Sequence, residues 1–238
     1  AANHLLRNIA MERIQVELDK ILLSPYAARG LSDLYELGCF AYFMPEMCHT
    51  VGFEQHNPYH CYDVFGHLCQ SVAAIEPDLV LRLTMLLHDI GKPFVWCSCY
   101  GDSDCFPEHE LISAQMAEPI LRRLCYDKQT QREVVKLIKH HTYMLHPEEE
   151  NVRRALAFFG EDSLRRLLKV KVADLKAQRV SASEHNHIFE EISQVLEQVL
   201  AKGDCTSLKQ LAVNGSDLQK LGCQGQQVGW MLEKLLDR

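Results

Sequence analysis

Leu79, Val80, Leu83, Leu86 and Leu87 recur at helical spacing in one apolar run, and that run ends on His88-Asp89-Ile90-Gly91-Lys92-Pro93. The spacing predicts a helix that faces a core. Gly91 suits a position just past a helix end, and Pro93 cannot continue a helix. His88 and Asp89 are therefore expected at the buried end of a core helix. A carboxylate there is costly twice over, through desolvation and through the negative end of the helix dipole. Something must compensate it, and a metal ion is one candidate.

The rest of the chain reads as helices. Met11, Ile14, Leu18, Ile21 and Leu22 mark an amphipathic helix closed by Ser24-Pro25, and a short one runs from about Leu31 to Leu37 and stops at Gly38. A longer helix starts after Asn57-Pro58 and carries Val64, Leu68, Val72 and Ile75 inward, and Pro77 is expected to open the helix that ends at His88-Asp89. Residues 93–108 have loop chemistry with room for a short β-hairpin. Helices then follow over about 110–125 (Pro119 as a kink), 128–141, 148–159, 162–179, 188–201 and 227–237, with a turn and short helix in "LAVNGSDLQKLG". The expected class is an all-α helical bundle with a small C-terminal helical subdomain. The expected divisions are residues 1–50, 51–182 and 183–238.

A hydrophobic content of 47% with 24% charged residues excludes wholesale disorder. No apolar run approaches the ~20 residues of a membrane span, and no signal-peptide pattern opens the chain, so a cytoplasmic protein without membrane contact is expected. Ten cysteines in such a chain read as reduced thiols. Cys97, Cys99 and Cys105 cluster, but a metal site there wants a fourth ligand that is not evident. A net charge of −7 argues against a nucleic-acid binder that works by bulk charge.

Twelve histidines are many for an acidic protein. His67, His88-Asp89, His109, His141 and Asp174 each come from a different expected helix, so none forms a local chelate. In a bundle, metal sites are built in this way, from side chains projected inward by facing helices. The donor set suits Fe, Mn, Ni, Co or Zn, with Mg admissible and Ca less so. At about 100° per residue, His60, Asp63 and His67 share one helix face. Arg165, Lys169 and Lys176 point away from Asp174.

The order "H … HD … D" from His67, His88-Asp89 and Asp174 resembles the HD-domain metal-dependent phosphohydrolase superfamily. "HDIGK", the following His109-Glu110 and "LIKHH" resemble its members that hold two metals. Four further stretches extend the likeness: "IAMERIQVELDKIL", "LGCFAYFMPEM", "NPYHCYDVFGHLCQSV" and "LAVNGSDLQKLGCQGQQVGWMLEKLL". Together they are similar to the body and tail of bacterial CCA-adding tRNA nucleotidyltransferases, over about Ile9 to Leu236. No room is left upstream for that family's nucleotidyltransferase head, which implies either a headless relative or part of a longer enzyme.

The resemblance implies one metal on His67, His88, Asp89 and Asp174. It implies a second on His109 and His141, with Asp89 shared. If only one metal is held, His109 and His141 would touch the phosphate. Lys92 would contact a phosphate oxygen, although a solvated position fits it equally. Asp63 would orient a ligand histidine or handle a proton. His60 would either bond the helix start or meet substrate, and Arg153 and Arg154 either contact substrate or an RNA backbone or form a solvated face. The activity implied is hydrolysis of a phosphoester of a nucleotide or 2′,3′-cyclic phosphate by metal-activated water. Two alternatives stay open. One is a tRNA-binding body of a split or headless nucleotidyltransferase. The other is a di-iron oxygenase, since some HD-fold proteins use the same six ligands for redox chemistry.

Overall fold

The computed structural model describes residues 3–55, 62–98, 104–178, 182–202 and 213–236. They are all-α apart from one two-residue hairpin. A 3₁₀ turn (Asn3–Asn8) precedes α1 (Met11–Leu23), α2 (Ala27–Glu36) and α3 (Phe40–Phe43), and a second (Pro45–Thr50) precedes α4 (Val64–Ala74) and α5 (Leu79–Leu87). Then come α6 (Lys92–Val95), the antiparallel pair β1 (Cys97–Ser98) and β2 (Asp104–Cys105), α7 (His109–Arg123), α8 (Lys128–His140), α9 (Glu149–Phe159), α10 (Glu161–Ala177), α11 (Ala182–Lys202), α12 (Gly215–Lys220) and α13 (Gln226–Leu236).

The chain divides into two compact units. Ala1–Tyr143 with Lys169–Ala182 forms the first, and Met144–Leu168 with Ser183–Arg238 the second. In the second, Val152, Leu156, Phe159, Leu164, Ile192, Leu196 and Val199 are buried at helical spacing, and Asn214 and Asp217 close a capping box at the start of α12. No described helix is long and apolar enough to cross a membrane.

The first unit is organised around α5, which packs against α1, α4, α7 and α8. Its residues from Leu81 to Leu87 are all buried, because a helix surrounded on every side must be apolar all round. Arg82 is the exception that proves useful. Only 5% exposed, it donates from Nη1 to the Leu22 carbonyl at 2.9 Å and from Nε to the Glu76 carbonyl at 3.1 Å. Leu22 O is among the last carbonyls of α1, which have no partner within their own helix. One buried guanidinium thus ties the end of α1 to the turn before α5.

Local signals decide where the helices start. Asp63 and Asp78 cap α4 and α5, accepting from Gly66 N–H at 2.7 Å and Leu81 N–H at 3.0 Å. These caps correct two expectations. α4 begins at Val64 with Asp63 as its cap, so Asp63 does not share a helical face with His67; His60 lies outside the described residues. α5 begins at Leu79, with Pro77 before the cap instead of in the first turn. Pro119 lies within a continuous α7. Cys105 is disulfide-bonded, against the expectation of reduced thiols throughout, while Cys39, Cys48, Cys69, Cys97, Cys125 and Cys223 are free.

Gly91 is also needed for a different reason than expected. Its φ of −81° is open to any residue. A Cβ there, however, would lie 2.7 Å from Ser113 N and 3.0 Å from His109 O. The turn after α5 lies against the backbone of α7, and Gly91 N–H donates to Ser113 Oγ at 2.9 Å.

Two substitutions test this packing by urea denaturation. Arg82→Met should lower stability by about 1–3 kcal/mol, because the buried Leu22 carbonyl and the partly buried Glu76 carbonyl lose their donor; an unchanged midpoint would mean that they are satisfied otherwise. Gly91→Ala should cost about 1–3 kcal/mol by overpacking, and a neutral result would show that α7 can retreat freely.

Candidate metal centre

Three histidines are set by one local device. His88 is the C-cap of α5, His141 the C-cap of α8, and His109 opens α7. Each ring uses Nδ1 toward the carbonyl three residues earlier: His88 to Met85 at 2.9 Å, His109 to Phe106 at 2.8 Å and His141 to Ile138 at 2.7 Å. A carbonyl only accepts, so Nδ1 carries the proton in each ring. In the neutral ring Nε2 is then a bare lone pair. Glu108, just before His109, has a φ of +55°, a region that non-glycine residues rarely adopt.

All these Nε2 atoms converge on Asp89, whose side chain is 2% exposed. Asp89 Oδ2 lies 3.4 Å from Nε2 of both His67 and His88, which are 3.3 Å apart. Asp89 Oδ1 lies 3.2 Å from His109 Nε2 and 3.6 Å from His141 Nε2, themselves 3.2 Å apart. Asp174 Oδ1 joins the first group at 2.9 Å from His67 and 3.4 Å from His88. A cation with bonds of about 2.0–2.2 Å keeps neighbouring donors roughly 2.8–3.6 Å apart, whether tetrahedral or octahedral. The separations match two such polyhedra that share the Asp89 carboxylate, one oxygen to each.

The electrostatics also call for a cation. Asp89 Oδ1 is buried with no hydrogen-bond donor among the described residues, and the neutral form of the nearest rings turns lone pairs toward it. The C-terminal ends of α5 and α8 add their negative dipole ends. Burial would raise the Asp89 carboxyl, but His88 and Lys92 hold it well below the usual carboxylate range. Burial would lower His88, yet Asp89 and Asp174 outweigh it and raise that imidazole. Burial lowers His141. Imidazole nitrogens and carboxylates bind a metal only when deprotonated, so metal uptake at this cluster would compete with protons. The residues fit one or two divalent transition metals.

Of the residues expected at the site, His67, His88, Asp89, His109, His141 and Asp174 are brought together, as is Lys92. Lys92 is buried rather than solvated. Its Nζ lies 2.6 Å from Asp89 Oδ2 and donates to Gln55 Oε1 at 2.8 Å. Asp63 is committed elsewhere: its two oxygens accept from the backbone N–H groups of Gly66 and, at 2.6 Å, Gly52. Arg153 and Arg154 belong to the second unit and pair with Glu149 and Glu150, one helical turn back. Arg165 pairs with Glu161 and Glu197, and Lys169 with Glu76, as a solvated basic face would.

Sequence reading passed over two residues here. Gln55 is a neutral loop residue with no periodicity to mark it. Lys171 donates from Nζ to the His141 carbonyl at 2.8 Å, and burial lowers its pKa to about 8. Its place one turn before Asp174 was the available signal. A cleft of about 620 Å³, lined by Tyr62, Gln70, Lys176 and Gln178 among others, adjoins the cluster at Gln178, whose amide reaches Asp174 at 3.5 Å.

Comparison with known proteins agrees with this geometry. The HD domain family model matches residues 58–178, just over half of the chain. Residues 1–50 match a model described as the probable RNA and SrmB-binding site of polymerase A. The chain is 32% identical to an A-adding tRNA nucleotidyltransferase from Deinococcus radiodurans, over 73% of this chain and 41% of that protein. It is 29% identical to a CC-adding tRNA nucleotidyltransferase from Thermus thermophilus, over 96% of this chain and 52% of that one. A bifunctional uridylyltransferase/uridylyl-removing enzyme from Ruegeria pomeroyi is 28% identical over 56% of this chain and 16% of its own length. The chain thus spans about half the length of the tRNA nucleotidyltransferases it matches. With two histidine pairs meeting on Asp89 inside the matched region, the chain belongs to the HD domain family, and its HD region is similar to that of the tRNA nucleotidyltransferases.

Proposed function

We propose that this chain is a metal-dependent phosphohydrolase that acts on a nucleotide or a 2′,3′-cyclic phosphate. The observation that carries the reading is the Asp89 carboxylate, buried, divided between two histidine pairs and, among the described residues, without a donor on Oδ1. His67, His88, Asp174 and Asp89 Oδ2 would hold one divalent metal, and His109, His141 and Asp89 Oδ1 a second. When bound, such ions supply an activated water and polarise the phosphoryl group. The Nδ1–H bonds to the Met85, Phe106 and Ile138 carbonyls keep the rings oriented, as outer hydrogen bonds do in metal sites generally. Lys92 brings an ammonium to the edge of the same carboxylate, where a phosphate oxygen is attracted. Likeness to a relative named as uridylyl-removing favours a nucleotidyl substrate.

A second reading has its own support. Residues 1–50 match an RNA-binding model, and two relatives are tRNA nucleotidyltransferases. On that reading the chain is the tRNA-binding body of such an enzyme, and the metal centre is structural.

Metal analysis separates the cases when paired with a screen of phosphomonoesters and cyclic phosphodiesters. Protein prepared without chelator should carry one or two transition metals (Fe, Mn, Ni, Co or Zn) per chain and turn over a phosphoester. His88→Ala and Asp89→Ala should lose metal and lower turnover by more than about 100-fold, beyond the usual effect of disturbing a ligand's outer partners. Wild-type activity and metal content in both variants would sink the proposal. His109→Ala should lose one metal and keep the other. Metal retention without hydrolysis, together with a salt-sensitive shift of tRNA on a gel, would transfer the assignment to the second reading.

A further inference from the structure

Gln55 is 5% exposed and lies in the loop before α4. That loop is pinned from both directions, since Gly52 N–H donates to Asp63 Oδ2 at 2.6 Å and Val64 N–H donates to Phe53 O at 3.0 Å. The side-chain amide is oriented by chemistry. Its Oε1 accepts from Lys92 Nζ at 2.8 Å, and the opposite orientation would set an NH₂ against an ammonium. Nε2 is consequently a buried donor beside Lys92, and among the described residues it has no hydrogen-bond partner. Buried donors are nearly always satisfied in folded proteins, and one that is not calls for an explanation. Lys92 Nζ is itself 2.6 Å from Asp89 Oδ2. The unsatisfied amide therefore belongs to the rim of the metal cluster and continues a row of donors that begins at Lys92.

We infer that Gln55 is a substrate-binding residue whose Nε2–H groups, with Lys92 Nζ, grip the oxygens of a phosphoryl group brought to the Asp89 centre. This rests on the phosphohydrolase reading and deepens it. The class of ligand follows from the donors. An amide NH₂ and an ammonium side by side present hydrogens and positive charge only, which suits an anionic oxygen acceptor. Asp63 then has a role at one remove, as a positioning residue that holds the Gln55 loop to the start of α4. Both of its oxygens accept from backbone N–H groups, of Gly52 and Gly66.

The test measures binding of inorganic phosphate to the Mn²⁺-loaded full chain by calorimetry, for wild type, Gln55→Met and Gln55→Glu. Methionine keeps the size and removes the donor. Glutamate keeps an acceptor for Lys92 and turns the donor into a repelling oxygen. Both should weaken phosphate binding by at least about tenfold, with glutamate the worse, while metal content and melting temperature stay at wild-type values. Phosphate affinity unaltered in both variants would overturn the assignment of Gln55 and leave the hydrolase reading standing. So would a loss of metal or melting temperature that parallels the loss of phosphate, since Gln55 would then act on the centre or the fold. A wild type that takes up metal but no phosphate would overturn both readings together.

Discussion

A carboxylate with 2% of its side chain exposed cannot remain ionised among ring lone pairs unless positive charge is supplied. Asp89 is in that situation, and the surrounding structure is arranged around it. Lys92 covers part of Oδ2, and the helix-end carbonyls of Met85 and Ile138 fix the protons of His88 and His141 on the side away from Asp89. The arrangement leaves four Nε2 atoms and two carboxylates pointed at small volumes of space. A divalent ion held there would meet lone pairs and negative charge alone, and so would offset these repulsions together.

The scaffold's unusual features serve the closeness of this convergence. α5 is buried on all sides so that its C-terminal end can meet helices from several directions. Gly91 lets the turn beyond α5 touch the backbone of α7, and this brings His109 within 3.2 Å of Asp89. Arg82 holds the opposite end of α5 by tying it to α1. A helix fixed at both ends can carry a charged dipeptide at its terminus without the surrounding core opening to water.

Membership of the HD domain family agrees with the site's construction from α4, α5, α7, α8 and α10, all within the matched residues 58–178. The basic residues outside the centre behave differently from those within it. Arg153, Arg154, Arg165 and Lys169 each pair with a glutamate. Lys92 and Lys171 instead donate to groups of the site itself. Exposed pairs of the first kind contribute little to stability, whereas buried ammonium groups shape the field into which an anionic ligand must come.

Much of this was legible in the sequence because helices advertise themselves. Periodicity located α1, α5, α8, α9 and α10 to within a residue or two, and the HD dipeptide at the end of a mostly apolar helix was expected to be buried and compensated. The clustered histidines were legible as an ordered series, since each stands at a helix end or on an inward face. The start of α4 at Val64 was not, because Asp63 caps it at Gly66 N–H with one oxygen while the other accepts from Gly52 N–H, a loop contact that no local pattern announces. The reason for Gly91 was hidden for the same kind of cause: its φ is ordinary, and only the approach of Ser113 from another helix forbids a side chain. Gln55 had no signal whatever in one dimension, being an uncharged residue in an aperiodic loop. What the sequence determined by itself was the helical class, the buried His88-Asp89 and the donor types. The tertiary structure alone decided which oxygen of Asp89 faces which histidine pair and which amide stands beside Lys92, because those are distances between segments tens of residues apart, set by packing and not by local preference.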